Sequence, residues 1–491
     1  MHARILFRRV ALFAASLAFS GVLGTVASTP AFAFTETAIF GSGAALQNQL
    51  QNNVLIPNDT LAGPSVTFTA TTSGAGFNEF GNNTGVLDPT QDPTASPVID
   101  SFVGTDSAPT LAQLATVKNA AGSDEVTVPV AQTPLDLIVN LPSSVKVGGT
   151  LKLSNVLVSE AYGGTLPSDS PYPANSWGAL LLLSGLSVGS SSNGTTFTDT
   201  GTLKNGTGAY QQLQVEVRKN GAGTTQNVKD YEFAVNTLKG SGPWASPILD
   251  DSNAYGTNEW PSGASLKPTS TGNSTDAAEV SAVLANPGTL GYATAGDAAS
   301  GGFTNTPQTE PTTKTQNLYA LVQNNGVATS GATYADPEAN NTGQPNVFTG
   351  AVNVNGSGGV GNWNVPQGTS KYNVLGSWAG TVASDPTVSG DGGKATNYPI
   401  VAVAYDLSFL NFASLTVSGS SKPSSNAGPT TQDYLTWAAT LKNGGQTAIS
   451  TYGTAKGDDD FYYAPLPTGN TGINNVQADA ATSAEAVNSG S

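Results

Sequence analysis

Residues 217–225 read Val217-Arg218-Lys219-Asn220-Gly221-Ala222-Gly223-Thr224-Thr225. The run before them alternates Leu213, Val215 and Val217 in the period of a β-strand and ends at the arginine. A glycine turn follows. The threonines then open a helical pattern over Thr225–Leu238, with Val228, Tyr231 and Val235 at i, i+3 and i+7. Strand, glycine turn and helix in this order are the repeating unit of an α/β sheet. The unit also has a chemical consequence. A helix start presents unpaired N–H groups and partial positive charge, which suit an anion. A glycine turn alone says little, because tight turns need glycine anyway. The arginine at the strand end adds a charged planar fork that suits phosphate or carboxylate.

Three other junctions have the same form. Ile39-Phe40-Gly41-Ser42-Gly43-Ala44-Ala45-Leu46 is a short strand, a glycine turn and a helix start. The strand-like run Val66–Thr71 leads into Ser73-Gly74-Ala75-Gly76-Phe77, a hydroxyl and two glycines before a short helical turn. Phe102-Val103-Gly104-Thr105-Asp106-Ser107-Ala108-Pro109 sets an acid directly before a helix. Each junction read singly is a tight turn with an ordinary cap, Asp106 included. In open α/β sheets, however, ligands bind beyond the strand C-termini, where such junctions gather.

Composition narrows the chemistry. The chain has no cysteine and a single histidine, His2. The first residues carry Arg4, Arg8 and Arg9, then an apolar run to about Val26 and a small-residue stretch Ala31-Phe32-Ala33. That pattern predicts an export signal over residues 1–33, cleaved after Ala33. The exported chain then has neither His nor Cys, which removes a Ser-His-Asp triad, a Cys nucleophile and an ordinary zinc site. Carboxylate-only hydrolysis stays open. The net charge of −16 becomes −19 once three arginines leave with the signal. Such a balance argues against nucleic acid and against anionic membranes. An anion site is still compatible with it, because surface acids are screened beyond about 8–10 Å. No later segment is long and apolar enough to span a bilayer, so the expected location is periplasmic or extracellular.

The roughly 455 residues after the signal exceed one simple core. Further strands are expected over Glu125–Ala131, Leu135–Leu141, Leu290–Ala293 and Ile400–Tyr405. Further helices are expected over Ala44–Val54, Thr110–Asn119 and Gln432–Leu441, the last stopped by Gly444-Gly445. Residues 163–210 and 296–395 are rich in Gly, Ser, Thr, Asn and Pro and read as long loops or small β-insertions. The sequons at Asn82, Asn193 and Asn205 read as chance in an Asn/Thr-rich chain. Asp458-Asp459-Asp460 reads as a solvated turn without EF-hand spacing.

Taken together and in order, the junctions resemble the periplasmic phosphate-binding protein of the bacterial phosphate ABC transporter. The resemblance rests on Gly41-Ser42-Gly43-Ala44, Ser73-Gly74-Ala75-Gly76, Gly104-Thr105-Asp106 with Ala108-Pro109, and Arg218 through Thr225. Leu137–Pro142, Pro287–Tyr292 and Tyr463–Pro467 support it. It implies a two-lobed α/β fold of the type II periplasmic-binding-protein kind, with a ligand cleft between the lobes. Lobe I would hold residues 34–138 and return over 397–491, and lobe II would span 139–396. The implied ligand is inorganic phosphate and the implied partners are permease subunits, with no cofactor, metal or catalytic residue. Backbone donors would come from Ala45 and Leu46, a hydroxyl and N–H from Ser73, and helix-start donors from Gly223 and Thr224. Arg218 would pair with phosphate oxygens. Asp106 would accept the ligand's own proton, which phosphate keeps near neutral pH and sulfate lacks.

The chain departs from that pattern at three places. Ala45-Leu46 stand where the family usually has Thr-Phe, Ala222 where it has Ser, and Asn220 where it has Asp. Each missing hydroxyl would weaken binding about 5–100-fold unless replaced. A second reading follows, in which a domain of this kind is reused as a secreted cell-surface or matrix component. A carboxylate-based hydrolase or phosphatase on the same scaffold is a third, with no paired-carboxylate motif to support it.

Overall fold

The computed structural model describes residues 37–60, 66–73, 76, 80, 100–106, 109, 111–142, 145–188, 196–199, 203, 210–218, 222–235, 275–305, 317–323, 334–338, 398–416, 426–440, 443–452, 462–466 and 476–489. The expected signal, the three sequons, Asn220, the Asp458–Asp460 run and most of 296–395 lie outside them.

A central sheet of eight strands organises the chain. Its strands are β1 (Ile39–Gly43), β2 (Val66–Ala70), β3 (Phe102–Thr105), β4 (Glu125–Asn140), β5 (Gln214–Val215), β6 (Thr289–Thr294), β7 (Asn317–Tyr319) and β8 (Val401–Phe409). The spatial order is β2-β1-β3-β8-β4-β6-β5, and β7 also pairs with β4. Every residue of β4 and of β8 is buried. Both strands are covered on both faces, although they carry buried polar side chains, among them Glu125, Asp136, Asn140 and Asp406.

The register locates the cleft. β1, β2 and β3 are mutually parallel, and β3 runs antiparallel to β8, from Phe102 opposite Ser408 to Thr105 opposite Tyr405. Those two β8 residues face Val126 and Pro129 of β4, so β3 points along β4 toward its middle. On the far half, β6 runs antiparallel to β4 from Thr289 opposite Asn140 to Thr294 opposite Leu135. β5 is parallel to β6. The strands of the two half-sheets therefore run toward each other, and their C-terminal ends meet beside residues 130–135 of β4. That is where ligands bind in such sheets.

Two expected strands, Glu125–Ala131 and Leu135–Leu141, are one strand of sixteen residues. Proline cannot donate to a ladder, and the strand holds two, Pro129 and Pro134. Both prolines sit where the ladder changes. The register against β8 shifts between Ala404 and Tyr405, opposite Pro129–Ala131. Pro134 is the last residue paired with β8, and at Leu135 pairing passes to β6. Residues 462–466 cover this middle section, with Gln132 and Ala464 exchanging backbone hydrogen bonds of 3.0 and 2.8 Å.

The helices are α1 (Gln47–Asn58, with a π-helical stretch over Leu50–Leu55), α2 (Leu111–Ala121), α3 (Asn155–Gly163), α4 (Trp177–Leu183), α5 (Gly223–Val235), α6 (Asp276–Ala285), α7 (Ala295–Ser300), α8 (Ala427–Ala439), α9 (Gly445–Tyr452) and α10 (Val476–Ala486). Gly444-Gly445 does not stop α8, which ends at Ala439; Gly445 instead opens α9. Among the described residues no helix is long and apolar enough to cross a membrane.

The stretch 163–210, expected as long loops or small β-insertions, holds short strands at Ser187–Val188 and Thr196–Asp199 and also contributes to the core. Within its polar flanks Trp177-Gly178-Ala179-Leu180-Leu181 form a buried helix that Ser176 caps by accepting from Ala179 N–H. Trp177 is fully buried and donates to Gly288 O at 2.9 Å. Trp177→Ala is expected to cost about 3–5 kcal/mol in denaturant unfolding. A cost under about 1 kcal/mol would return this stretch to the status of a loop.

Candidate functional site

The site is built from the junctions beyond the strand ends. At the first, Gly43 has φ of 131°, and a Cβ there would lie 2.1 Å from Gly104 O. Only glycine lets the first and third loops touch backbone to backbone, and Ala44 N–H donates to Gly104 O at 2.8 Å. Ala45 and Leu46 form the turn that opens α1, and Leu46 O accepts from the Tyr463 hydroxyl. Ser73 begins the helical turn after β2. Its hydroxyl donates to Asp106 Oδ2 at 3.2 Å and accepts from Asp106 N–H at 3.3 Å.

The arginine side comes from the other half-sheet. Arg218 follows β5, and its N–H donates to the Tyr292 hydroxyl at 3.2 Å. Tyr292 Oη lies 2.7 Å from Thr225 Oγ1 in the first turn of α5. The two sides meet at Gly223, where a Cβ would stand 2.4 Å from Asp106 Cβ. Asn227 Nδ2 ties them by donating to Asp106 O at 2.7 Å and to Gly223 O at 2.8 Å. Ser73, Asp106, Arg218, Gly223 and Thr224, expected as one site, thus form one linked cluster. Ala45 and Leu46 stand at its edge, joined to it through the loop contact at Gly104 and through Tyr463.

Asp276 was not among the expected residues. It is the first residue of α6, and its Oδ1 receives Arg218 Nη1 at 2.5 Å. Thr224 Oγ1 donates to its carboxylate, 3.0 Å from Oδ1 and 3.1 Å from Oδ2. Arg218 and Asp276 are 2% and 1% exposed, so this is a buried ion pair. The resembled family usually has an acid where this chain has Asn220, yet here a carboxylate arrives from a residue 58 positions further on. Thr275 capping an apolar-periodic run marks that helix in the sequence. Nothing in the spacing says that its first acid reaches Arg218. Tyr292, Asn227 and Tyr463 were likewise not expected as site residues, although Tyr292 and Tyr463 fall in supporting motifs.

Acids dominate the electrostatics. Burial pushes the Asp106 carboxyl up to about 7, with Asp276 adding to the rise and Arg218 and Ser73 opposing it. Burial likewise carries Asp297, in the first turn of α7, up to about 6, with help from Asp276. Burial pushes Tyr463 up, and Asp297, Asp106 and Asp276 add to the rise. Burial lowers Arg218, but the pull of Asp276 outweighs it and keeps the guanidinium charged. Asp106 Oδ1 is buried without a hydrogen-bond partner. Such an atom costs about 1–3 kcal/mol unless a proton reaches it, on the carboxyl itself or on a ligand. Among the described residues no group of three or more His, Cys, Asp or Glu side chains is arranged to hold a metal ion.

Half-sheets whose strand ends face one another across shared long strands define the two-lobed α/β fold of periplasmic binding proteins. No protein-family model and no curated protein matches the chain in sequence. In fold it is similar to a high-affinity periplasmic phosphate-binding protein, PfluDING, solved with phosphate bound, with a TM-score of 0.52 at 17% identity over 91% of this chain and 92% of that one. Weaker likenesses include the phosphate-binding protein of Stenotrophomonas maltophilia, with a TM-score of 0.48 at 16% identity over 91% and 93% of the two chains. An ancestral soluble variant of the human phosphate-binding protein gives 0.49 at 16% over 88% and 91%. The chain has a phosphate-binding-protein-like fold.

Proposed function

We propose that the chain is an exported, non-enzymatic solute-binding protein that takes inorganic phosphate between its half-sheets and passes it to an ABC-type permease. The observation that carries this reading is the buried, unpartnered Oδ1 of Asp106, set against the start of α5 and in the field of Arg218. A ligand that brings its own proton satisfies that oxygen, and its remaining oxygens take N–H donors from Gly223 and Thr224 and charge from Arg218. Phosphate does this near neutral pH. Sulfate, which brings no proton, leaves two like charges facing each other once the Asp106 carboxyl is ionised. Because the cluster is buried, entry requires the lobes to part by hinge motion. The lobe boundaries near 138 and 397 belong to the proposal, and the change of partner along β4 at Pro134–Leu135 supports them.

Calorimetric titration of the purified protein is expected to give saturable phosphate binding that excess sulfate barely affects. Absence of any phosphate heat overturns the reading. The second reading, a structural component of the cell surface, gains support from Ala45 and Ala222 and from the Ser73 and Thr224 hydroxyls already donated to carboxylates. Self-association or cell-wall retention together with no phosphate binding would favour it.

A further inference from the structure

Asp276 makes contacts that an anionic ligand would need. A threonine hydroxyl has one proton, and that of Thr224 faces both oxygens of Asp276, at 3.0 and 3.1 Å. Arg218 Nη1 spends an N–H on the same carboxylate at 2.5 Å. The carboxylate is held in place. It sits at the first position of a helix whose N-cap, Thr275, accepts from Ala278 N–H, and α6 packs on β6 and β4. Its side chain is 1% exposed, so it does not relax into solvent.

We infer that Asp276 is a built-in competitor for the anion position at Arg218 and Thr224, and that it lowers the protein's affinity for phosphate. The inference rests on the phosphate reading. An incoming phosphate meets a guanidinium whose charge is already offset and a hydroxyl whose proton is already donated. It gains the pair's full strength only by displacing a fixed carboxylate. Arg218 Nη1 and the Thr224 hydroxyl are thus engaged by Asp276, whereas Asp106 Oδ1 is buried with no hydrogen-bond partner. The protonated face of the ligand is then the one the site has most to gain from binding.

The test compares phosphate titrations of the wild-type protein, Asp276→Asn and Asp276→Ser at one pH and salt concentration. Both variants are expected to bind phosphate at least about tenfold more tightly than wild type, or about 1.4 kcal/mol. Because either substitution leaves Arg218 buried without its counter-ion, thermal unfolding with and without phosphate is the second readout. The stabilisation by a fixed phosphate concentration is expected to be larger in the variants. Wild-type binding with equal or weaker binding by folded variants overturns the competitor role and leaves the phosphate reading standing. Variants that do not fold even in millimolar phosphate also overturn it, since Asp276 would then act only as a structural counter-ion. Absence of binding by wild type and variants alike overturns the phosphate reading and this inference with it.

Discussion

Arg218→Ala is expected to abolish measurable phosphate binding and to destabilise the fold by about 3–5 kcal/mol. Both losses have one cause. Arg218 pairs with Asp276, and its charge opposes the rise of Asp106 and Asp297. Its removal strands Asp276 as a buried charge whose described partner is the Thr224 hydroxyl. A further variant separates stability from binding. In Arg218→Met/Asp276→Leu the buried pair is replaced by apolar groups, an exchange that is often neutral or stabilising. The double variant is expected to recover most of the lost stability in denaturant unfolding and none of the phosphate binding in calorimetry. If Arg218→Ala alone binds phosphate within about tenfold of wild type, the arginine loop is not the anion site.

Asp106 governs the second large effect, which depends on pH. Its carboxyl titrates near 7 in the folded protein, against about 3.9 in an unfolded chain. A raised value means that the folded state holds a proton the unfolded state has released. The contribution to stability is fully present below about pH 4 and is lost as pH rises through 7. A rise from about 3.9 to about 7 corresponds to a change on the order of 4 kcal/mol. Asp406, pushed up to about 7 mainly by burial, and Asp297, near 6, act with the same sign. The ligand-free protein is therefore expected to unfold at a higher denaturant concentration at pH 5 than at pH 8. Asp106→Asn removes the proton requirement, flattens this dependence and raises stability at pH 8. The amide also donates to an oxyanion, so sulfate is expected to compete with phosphate in the variant on comparable terms. A variant that keeps the wild-type pH slope and still rejects sulfate would remove Asp106 from both roles.

Much of the fold was legible because it is written in local patterns. The alternation at Leu213–Val217, the helix period from Val228 to Val235 and the glycine turns each report a local backbone requirement. The half-sheets follow from them. Legibility failed where a local rule met a tertiary exception. The two expected strands left a gap over residues 132–134 where one strand runs through, since a sequence does not reveal that Pro129 and Pro134 fall where the pairing shifts or changes partner. Polar composition hid the buried Trp177 helix, because packing against the Gly288 turn is not visible along the chain. At the site, Ser73, Asp106, Arg218, Gly223 and Thr224 stood out as junction residues and are in contact with one another.

Chemistry next to the backbone can be read along the chain, because helix starts, glycine turns and strand ends carry their donors with them. The positions proposed to hold an anion follow from that alone. The charge those positions feel does not, because it is set by side chains that arrive from distant segments. Burial of Asp106 against Gly223 raises its carboxyl, and Asp276 reaches Arg218 from a helix whose own sequence speaks only of capping. Coulombic interaction depends on distance and on exclusion of water, and both exist only once the chain has folded.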